Sequence, residues 1–245
     1  MDHLIYTAMS GASAAAQRQS VLANNLANAS TQGFRAELSN FRAVPLRGDG
    51  ATTRVFALEA TSGHDSKPGA VQRTGRTLDM AAQGDSWFAV QGLDGTEAYT
   101  RAGAFQISPE GTLVTSGGLM VLSDGGAPID VPPGAELTIG GDGTVSAKTG
   151  DAPSSTLGRI KLAKPTADDP LRRGEDGLFR AASQEPLPTD AAARLETGAL
   201  EGSNVNPVET MVGMIAAARQ FEQQMRLLQS AEASDKSAAQ LLSMG

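Results

Sequence analysis

The chain contains no cysteine. Disulfides, thiolate nucleophiles and Cys-based zinc sites are thereby excluded together. Only two histidines occur, His3 and His64. His3 falls in a first helical turn and His64 in a Gly/Ser/Lys-rich stretch. Neither neighbours a nucleophile motif, so no Ser-His or Cys-His pair is suggested. Asp-Gly dipeptides are present, but none sits in the D-x-D-x-D-G spacing with a later Glu that calcium loops use. The glycines around Gly140-Gly141 do not lead a strand into a helix as a dinucleotide site requires. These gaps point away from an enzyme and imply no cofactor and no metal. A carboxylate-pair hydrolase stays open, because spacing alone does not show which acids face one another.

Basic charge is also lacking. The net charge of -7 over 245 residues disfavours a general nucleic-acid binder, which would be basic. No apolar run approaches a membrane span in length. Met1-Asp2-His3-Leu4 has no basic segment followed by an apolar one, which predicts no cleavable signal peptide. Aromatic residues make up 4%, with Trp87 the one tryptophan. The core must rely on Ala, Leu, Val and Ile, and its expected stability is modest. The length suits one large domain or two smaller ones.

Proline is missing from both ends. All 12 prolines lie between Pro45 and Pro207, and glycine is dense over the same span. Helix interiors exclude proline and disfavour glycine. The ends therefore read as helices and the middle as strands and turns. The first helix is expected from about Asp2, a capping residue, to about Asn28. Ile5, Met9, Ala12, Ala16, Ala23 and Leu26 form a heptad-like stripe, with Gln19 in one slot. Gly33 is the expected left-handed stop. The second helix opens at Asn206-Pro207-Val208-Glu209, a cap followed by Pro at the first helical position and an early carboxylate. Met211, Met214, Ala218, Phe221, Met225 and Leu228, with Ile215 beside them, continue an apolar face. At about 1.5 Å per residue, this helix would be roughly 55 Å long.

Between them, antiparallel strands are expected near 87–91, 97–100, 104–107, 119–122, 129–131, 137–139, 144–147 and 159–163. Turns fall at Asp94-Gly95, Glu110-Gly111, Asp124-Gly125 and Asp142-Gly143. Asp94, Asp124 and Asp142 read as turn residues. The predicted fold class is α+β, mainly β. A central antiparallel β domain is flanked by long N- and C-terminal helices that pair as a coiled coil. The expected boundaries are 1–32 (helix), 33–77 (connector), 78–182 (β domain), 183–205 (connector) and 206–245 (helix). Pattern alone leaves two readings of the helices. They pack within one monomer, or they present interfaces to identical neighbours. The long polar side chains Arg219, Gln220, Glu222, Gln223, Gln224, Arg226 and Gln229 suit either.

Three segments carry a resemblance. "ANNLANASTQGFRAE", residues 23–37, resembles the signature of the flagellar rod and hook family of axial proteins. There, a helix rich in Ala and Asn ends in T-x-G-F; the matching residues are Asn24, Asn25, Leu26, Asn28, Thr31, Gly33 and Phe34. "GDSWFAVQGLDGTEAYTRAGAFQISPEGTLVTSGGLMVL" resembles the family's shared β segment, through Tyr99, Thr100, Arg101, Gly103 and Phe105. "LEGSNVNPVETMVGMIAAARQFE" resembles the start of its C-terminal helix, through Ser203, Asn204, Val205 and Asn206. The stretches "MDHLIYTAMSGA", "FRAVP", "DGLFR" and "LLSM" narrow the resemblance to one rod member.

The resemblance implies a structural subunit of the bacterial flagellar basal-body rod, in its proximal part, within the drive shaft for motility. The implied partners are further copies of the chain, neighbouring rod proteins and the flagellar type III export apparatus. Nucleic acid and a direct membrane span are not implied. The implied location is the rod within the periplasm, reached without a cleavable signal peptide. Ile5, Met9, Ala12, Ala16, Ala23, Leu26, Met211, Met214, Ile215, Ala218, Phe221, Met225 and Leu228 would then be subunit-interface positions. Phe34 would anchor the turn after the first helix, and the asparagines would satisfy polar groups there. The competing reading is a monomeric β-domain binding module or hydrolase with a helical hairpin.

Overall fold

The computed structural model describes residues 2–45, 55–150 and 152–243. The chain divides into two compact units. One comprises Met1–Ala29, Glu37–Gly63 and Val205–Gly245; the other comprises Ser30–Ala36 and His64–Asn204.

The first unit holds α1 (Asp2–Ala27), the antiparallel pair β1 (Glu37–Pro45) and β2 (Val55–His64), and α2 (Pro207–Ser243). The cap of α2 forms as its sequence predicts. Asn206 Oδ1 accepts the N–H groups of Val208 and Glu209 at 3.1 and 3.3 Å, satisfying donors that have no helical partner. The two helices pack together. On α1 the buried or half-buried line is Ile5, Ala8, Ala12, Ala15, Gln19, Leu22 and Leu26. On α2 it is Thr210, Gly213, Met214, Ala217, Gln224, Leu228 and Ala231. A Cβ on Gly11 would stand 3.0 Å from the Gln224 side chain, and one on Gly213 3.2 Å from Leu22. Absent side chains thus let the helices approach closely.

The second unit is β throughout. It contains β3 (Val71–Arg73), β4 (Met80–Ala82), β5 (Trp87–Gln91), β6 (Glu97–Thr100), β7 (Phe105–Ile107) and β8 (Leu113–Thr115). Then come β9 (Glu136–Ile139), β10 (Thr144–Lys148), β11 (Ser155–Arg159) and β12 (Leu162–Ala163). The last are β13 (Leu171–Arg173), β14 (Phe179–Ala181), β15 (Leu195–Thr197) and β16 (Ala199–Glu201). The sheets are small: a five-stranded one ordered β12-β5-β6-β14-β13, a three-stranded one ordered β11-β10-β9, and pairs β15-β4, β16-β3 and β7-β8. The unbroken apolar run Trp87-Phe88-Ala89-Val90 is buried on both faces, as continuous hydrophobicity in a strand requires. Phe88 joins a core with Met80, Phe105, Leu113, Val145 and Ile160. Trp87 and Ala89 join another with Tyr99, Leu122 and Phe179. β9 buries Leu137 and Ile139 and exposes Glu136 and Thr138, the alternation of a half-covered strand.

One turn is used repeatedly. At 92–96, 108–112, 115–119, 123–127, 140–144 and 174–178 the first residue's N–H bonds the fifth's carbonyl, and the fourth's N–H bonds the first's carbonyl. The fourth residue is Gly in each, with φ between +78° and +88°. This is a type I turn closed by a left-handed bulge, the geometry that twists with the flanking strands. Asp94 and Asp142 accept the N–H groups of Thr96 and Thr144, both at 3.0 Å. They are turn residues, as expected. At 123–127 the left-handed residue is Gly126 rather than Gly125.

Several expectations are corrected. Residues 119–122 and 129–131 form isolated bridges rather than strands. Turns at 108–112, 115–119 and 123–127 leave too few residues between them for a longer ladder. The expected strand 159–163 is split: Arg159 ends β11, Ile160 bridges to Ser123, and β12 is only Leu162–Ala163. The stretches expected as irregular connectors carry β1, β2, β3, β15 and β16. β3 pairs with β16 and β15 with β4 across the length of the unit, while β1 and β2 pair with each other; no local signal announces them.

Candidate functional site

The residue that ends the first motif has two reasons to be glycine. Gly33 has φ +66°, a region that costs other residues strain. A Cβ there would also lie 2.4 Å from the Arg101–Ala102 peptide. Its N–H donates to the Glu201 carbonyl at 2.8 Å. Gly33 therefore lies directly against residues of the other two motifs. Phe34 is buried beneath the Arg173 guanidinium, 4.4 Å from its ring.

Arg35, Arg101 and Glu201 meet at the centre. All three side chains are at most 2% exposed. Glu201 Oε1 lies 2.5 Å from Arg35 Nη1 and accepts the Gly69 N–H at 2.9 Å. Glu201 Oε2 accepts Arg101 Nε at 2.7 Å and pairs with Arg101 Nη2 at 2.5 Å. Arg101 also donates to the carbonyls of Ser86 and Ala82, so its fork is satisfied. Burial holds the Arg101 guanidinium below its ordinary value, while the Glu201 charge pulls it back up. Arg35 is less complete. Its Nη1 makes the ion pair without a hydrogen bond, and its buried Nε has no hydrogen-bond partner. Both guanidinium carbons lie near the Trp87 ring, at 5.8 and 5.9 Å from its centroid, within cation–π range.

The remaining motif residues are mainly backbone brackets. Asn204 Oδ1 accepts the Ala36 N–H at 2.7 Å, and its Nδ2 donates to the carbonyls of Asp65 and Lys67 at 3.1 and 2.9 Å. Buried Asn25 accepts the Glu37 N–H at 2.8 Å and donates to the Glu37 carbonyl at 2.9 Å. It acts as a strand partner for the first residue of β1. Asn28 Nδ2 donates back to the Asn24 carbonyl at 3.0 Å, closing the helix end. Leu26 is half-buried, Thr31 accepts the Phe34 N–H, and the Thr100 hydroxyl accepts the Ala102 N–H. Ser203 and Val205 are partly buried on either side of Asn204. Tyr99 donates to Glu97 at 2.7 Å and accepts the Leu187 N–H at 2.6 Å. Burial, then the Glu97 bond, raises its phenol above the ordinary range. Gly103 has no room for a side chain: a Cβ would lie 1.7 Å from the Met80 carbonyl oxygen. Phe105 is fully buried edge-on to Phe88, with centroids 5.1 Å apart.

His64 packs edge-on to Phe179 and Trp87, at centroid distances of 4.8 and 6.0 Å. Burial foremost, then the Arg35 charge, holds its pKa below the ordinary value, with Asp65 opposing. Among the described residues no group of three acids or histidines could hold a metal ion, and no helix is long and apolar enough to cross a membrane.

The stripe residues fall on different sides of the helices. Ile5, Ala12, Leu26, Met214, Ala218 and Leu228 are partly or fully buried. Met9, Ala16, Ala23, Met211, Ile215, Phe221 and Met225 are exposed. The expected line on α1 is therefore turned from the buried one, which uses Ala8, Ala15 and Leu22 in place of Met9, Ala16 and Ala23. In so alanine-rich a helix, apolarity does not choose between these two sets. Sequence reasoning also passed over Arg35 and Glu201. Both stand inside the matched stretches, and a lone charge among small and apolar motif residues was the available signal.

Comparison with known proteins agrees with this convergence. Residues 5–35 match the family "Flagella basal body rod protein", 81–147 the "Flagellar hook protein FlgE/F/G D1 domain", and 196–241 the "Flagellar basal body rod FlgEFG protein C-terminal". The chain is 47% identical to the flagellar basal-body rod protein FlgF of Salmonella typhimurium, over the whole of both chains, and equally to that of Escherichia coli. It is 32% identical to the flagellar basal-body rod protein FlgG of Bacillus subtilis, covering 93% of this chain and 94% of that one. A monomeric binding module or hydrolase finds no support in these matches. The chain belongs to the flagellar basal-body rod family, a structural and not a catalytic class, and is most like its FlgF members.

Proposed function

We propose that this structural component of the flagellar basal body enters the proximal rod by burying the outer faces of α1 and α2 against neighbouring subunits. The observation that carries the reading is on α2. Val208, Met211, Val212 and Ile215 are 70%, 50%, 62% and 55% exposed, and at i, i+3, i+4, i+7 spacing they share one face. Buried Thr210 and Ala217 lie on the opposite face, so this patch is turned away from α1. Met9 adds a further exposed apolar residue on α1. A contiguous apolar face of this kind marks an interaction surface. Copies of the chain and other rod proteins supply helices of matching character, and the helices then pair in coiled-coil fashion within a tube. Export through the flagellar type III apparatus suits a chain that has no cysteine and so no disulfide to break. The rod segment so built lies in the periplasm.

The test is Ile215→Asp, with Met225→Glu as a second site. Each is expected to leave the β unit folded, by Trp87 emission and circular dichroism, while the protein fails to enter isolated basal bodies and cells lose motility. Normal incorporation and swimming with either variant would refute the assignment of this face.

A further inference from the structure

Beside the buried triad lies a cavity of about 270 Å³. Its walls include Arg35, His64, Ser66, Trp87 and Arg101. The triad itself is unbalanced. Two guanidinium groups share one carboxylate, and all three side chains are nearly inaccessible to solvent. Glu201 has no capacity left, since it also takes the Gly69 N–H. Each nitrogen of Arg101 is engaged by Glu201 or a carbonyl. The excess charge and the unused hydrogen-bond capacity therefore reside on Arg35, whose buried Nε has no partner. Asp85, the one acid on the cavity wall, is exposed; its charge acts on Arg101 from a distance, and it forms no ion pair with either arginine. A buried cation without full compensation is costly, and one added carboxylate would remove that cost.

We propose that this cavity is a carboxylate socket. A single acidic group enters beside Trp87 and completes the coordination of Arg35, converting a two-cation, one-anion cluster into a balanced one. His64 suits the role of a neutral wall: it packs edge-on to Trp87 and Phe179. Arg173 and Asp65 act on its ring along with Arg35, two cations against one acid. The carboxylate has two possible sources, an Asp or Glu side chain of another copy of this chain or a small free acid. The socket does not depend on the assembly face proposed for α2.

Trp87, the single tryptophan, reports on the cavity directly. The full chain is titrated with sodium acetate at constant ionic strength and pH 7.5 while Trp87 emission is followed. A saturable change is expected, and it is expected to be lost in Arg35→Gln. Because Arg35→Gln also disturbs the triad, Ser66→Asp is the second variant. It places a carboxylate at the cavity mouth, and it is expected to raise Tm and abolish the acetate response, while Ser66→Asn does neither. A dilution series without acetate separates the sources. Emission that changes with protein concentration assigns the carboxylate to another copy, and emission independent of concentration assigns it to a free acid. A flat acetate titration of the native chain overturns the proposal. So does a response that persists in folded Arg35→Gln, or a Ser66→Asp variant that behaves as Ser66→Asn.

Discussion

Glu201→Ala is the most informative single change to the β unit. Among the described residues it removes the one carboxylate paired with Arg35 and Arg101, both 2% exposed at their side chains. Removing one partner of a buried ion pair typically costs about 3–5 kcal/mol, because the charge left behind has no compensation. Here two guanidinium groups are left. Arg101 keeps its bonds to the Ser86 and Ala82 carbonyls, so its share is reduced, whereas Arg35 keeps only the Trp87 face. The Gly69 N–H also loses its acceptor, adding about 1 kcal/mol. A total loss of roughly 4–6 kcal/mol follows from these figures. That is a large fraction of the stability of an ordinary domain. Urea unfolding followed by Trp87 emission measures it. With a slope of about 2 kcal/mol per molar, the midpoint should fall by roughly 2–3 M. Replacing the three together, as Arg35→Leu, Arg101→Met and Glu201→Met, should restore most of the loss, since well-packed apolar substitutes leave no buried charge. A midpoint within about 0.5 M of the native value for Glu201→Ala, roughly 1 kcal/mol on the same slope, would refute the claim that these charges are desolvated and mutually dependent.

Two further outcomes follow from the same region. Gly33→Ala forces a side chain against the Arg101–Ala102 peptide and into a left-handed backbone. A lowering of Tm corresponding to more than about 2 kcal/mol is expected, and an unchanged Tm would mean the chain passes there differently. The second concerns pH. His64 has its pKa below the ordinary 6.5, first through burial and then through Arg35. The unfolded chain therefore binds this proton more readily than the folded one. His64 thus makes stability fall as pH drops through 6.5 toward its lower folded value, and adds no pH dependence above that window. Thermal unfolding of the native chain and His64→Gln between pH 5 and 7.5 should show this slope in the first and a shallower one in the second.

Much of the plan was legible in the sequence for identifiable reasons. Proline confined to the middle, with glycine dense there and sparse at the ends, set the helix–β–helix order, because helix interiors exclude proline and disfavour glycine. Asn206 and Pro207 announced the start of α2, since capping is a local matter decided within four residues. Asp-Gly followed by Thr announced the turns, and the alternation in 137–139 and 144–147 announced β9 and β10. Strands β1, β2, β3, β15 and β16 were not legible. β3, β15 and β16 pair with strands far along the chain, whereas β1 and β2 pair with each other as neighbours without a turn signal or alternation that marks them.

The site divides in the same way. Gly33 could be read as a left-handed stop from its place after a helix, but not as a contact with Arg101, which lies far along the chain. The asparagines were visible as a cluster, yet only the structure separates buried Asn25, which pairs with Glu37, from Asn28, which folds back on Asn24. On α1, an alanine-rich surface offers two apolar lines of nearly equal character, and packing against α2 chose Ala8, Ala15 and Leu22. What the sequence determined by itself was local: element type, caps, turns and motif identity, because these depend on neighbours within a few bonds. The tertiary structure alone decided that Arg35, Arg101 and Glu201 share one buried carboxylate and which helix faces stay exposed. Both are properties of distant segments brought into contact, where burial, not spacing, sets the energy of a charge.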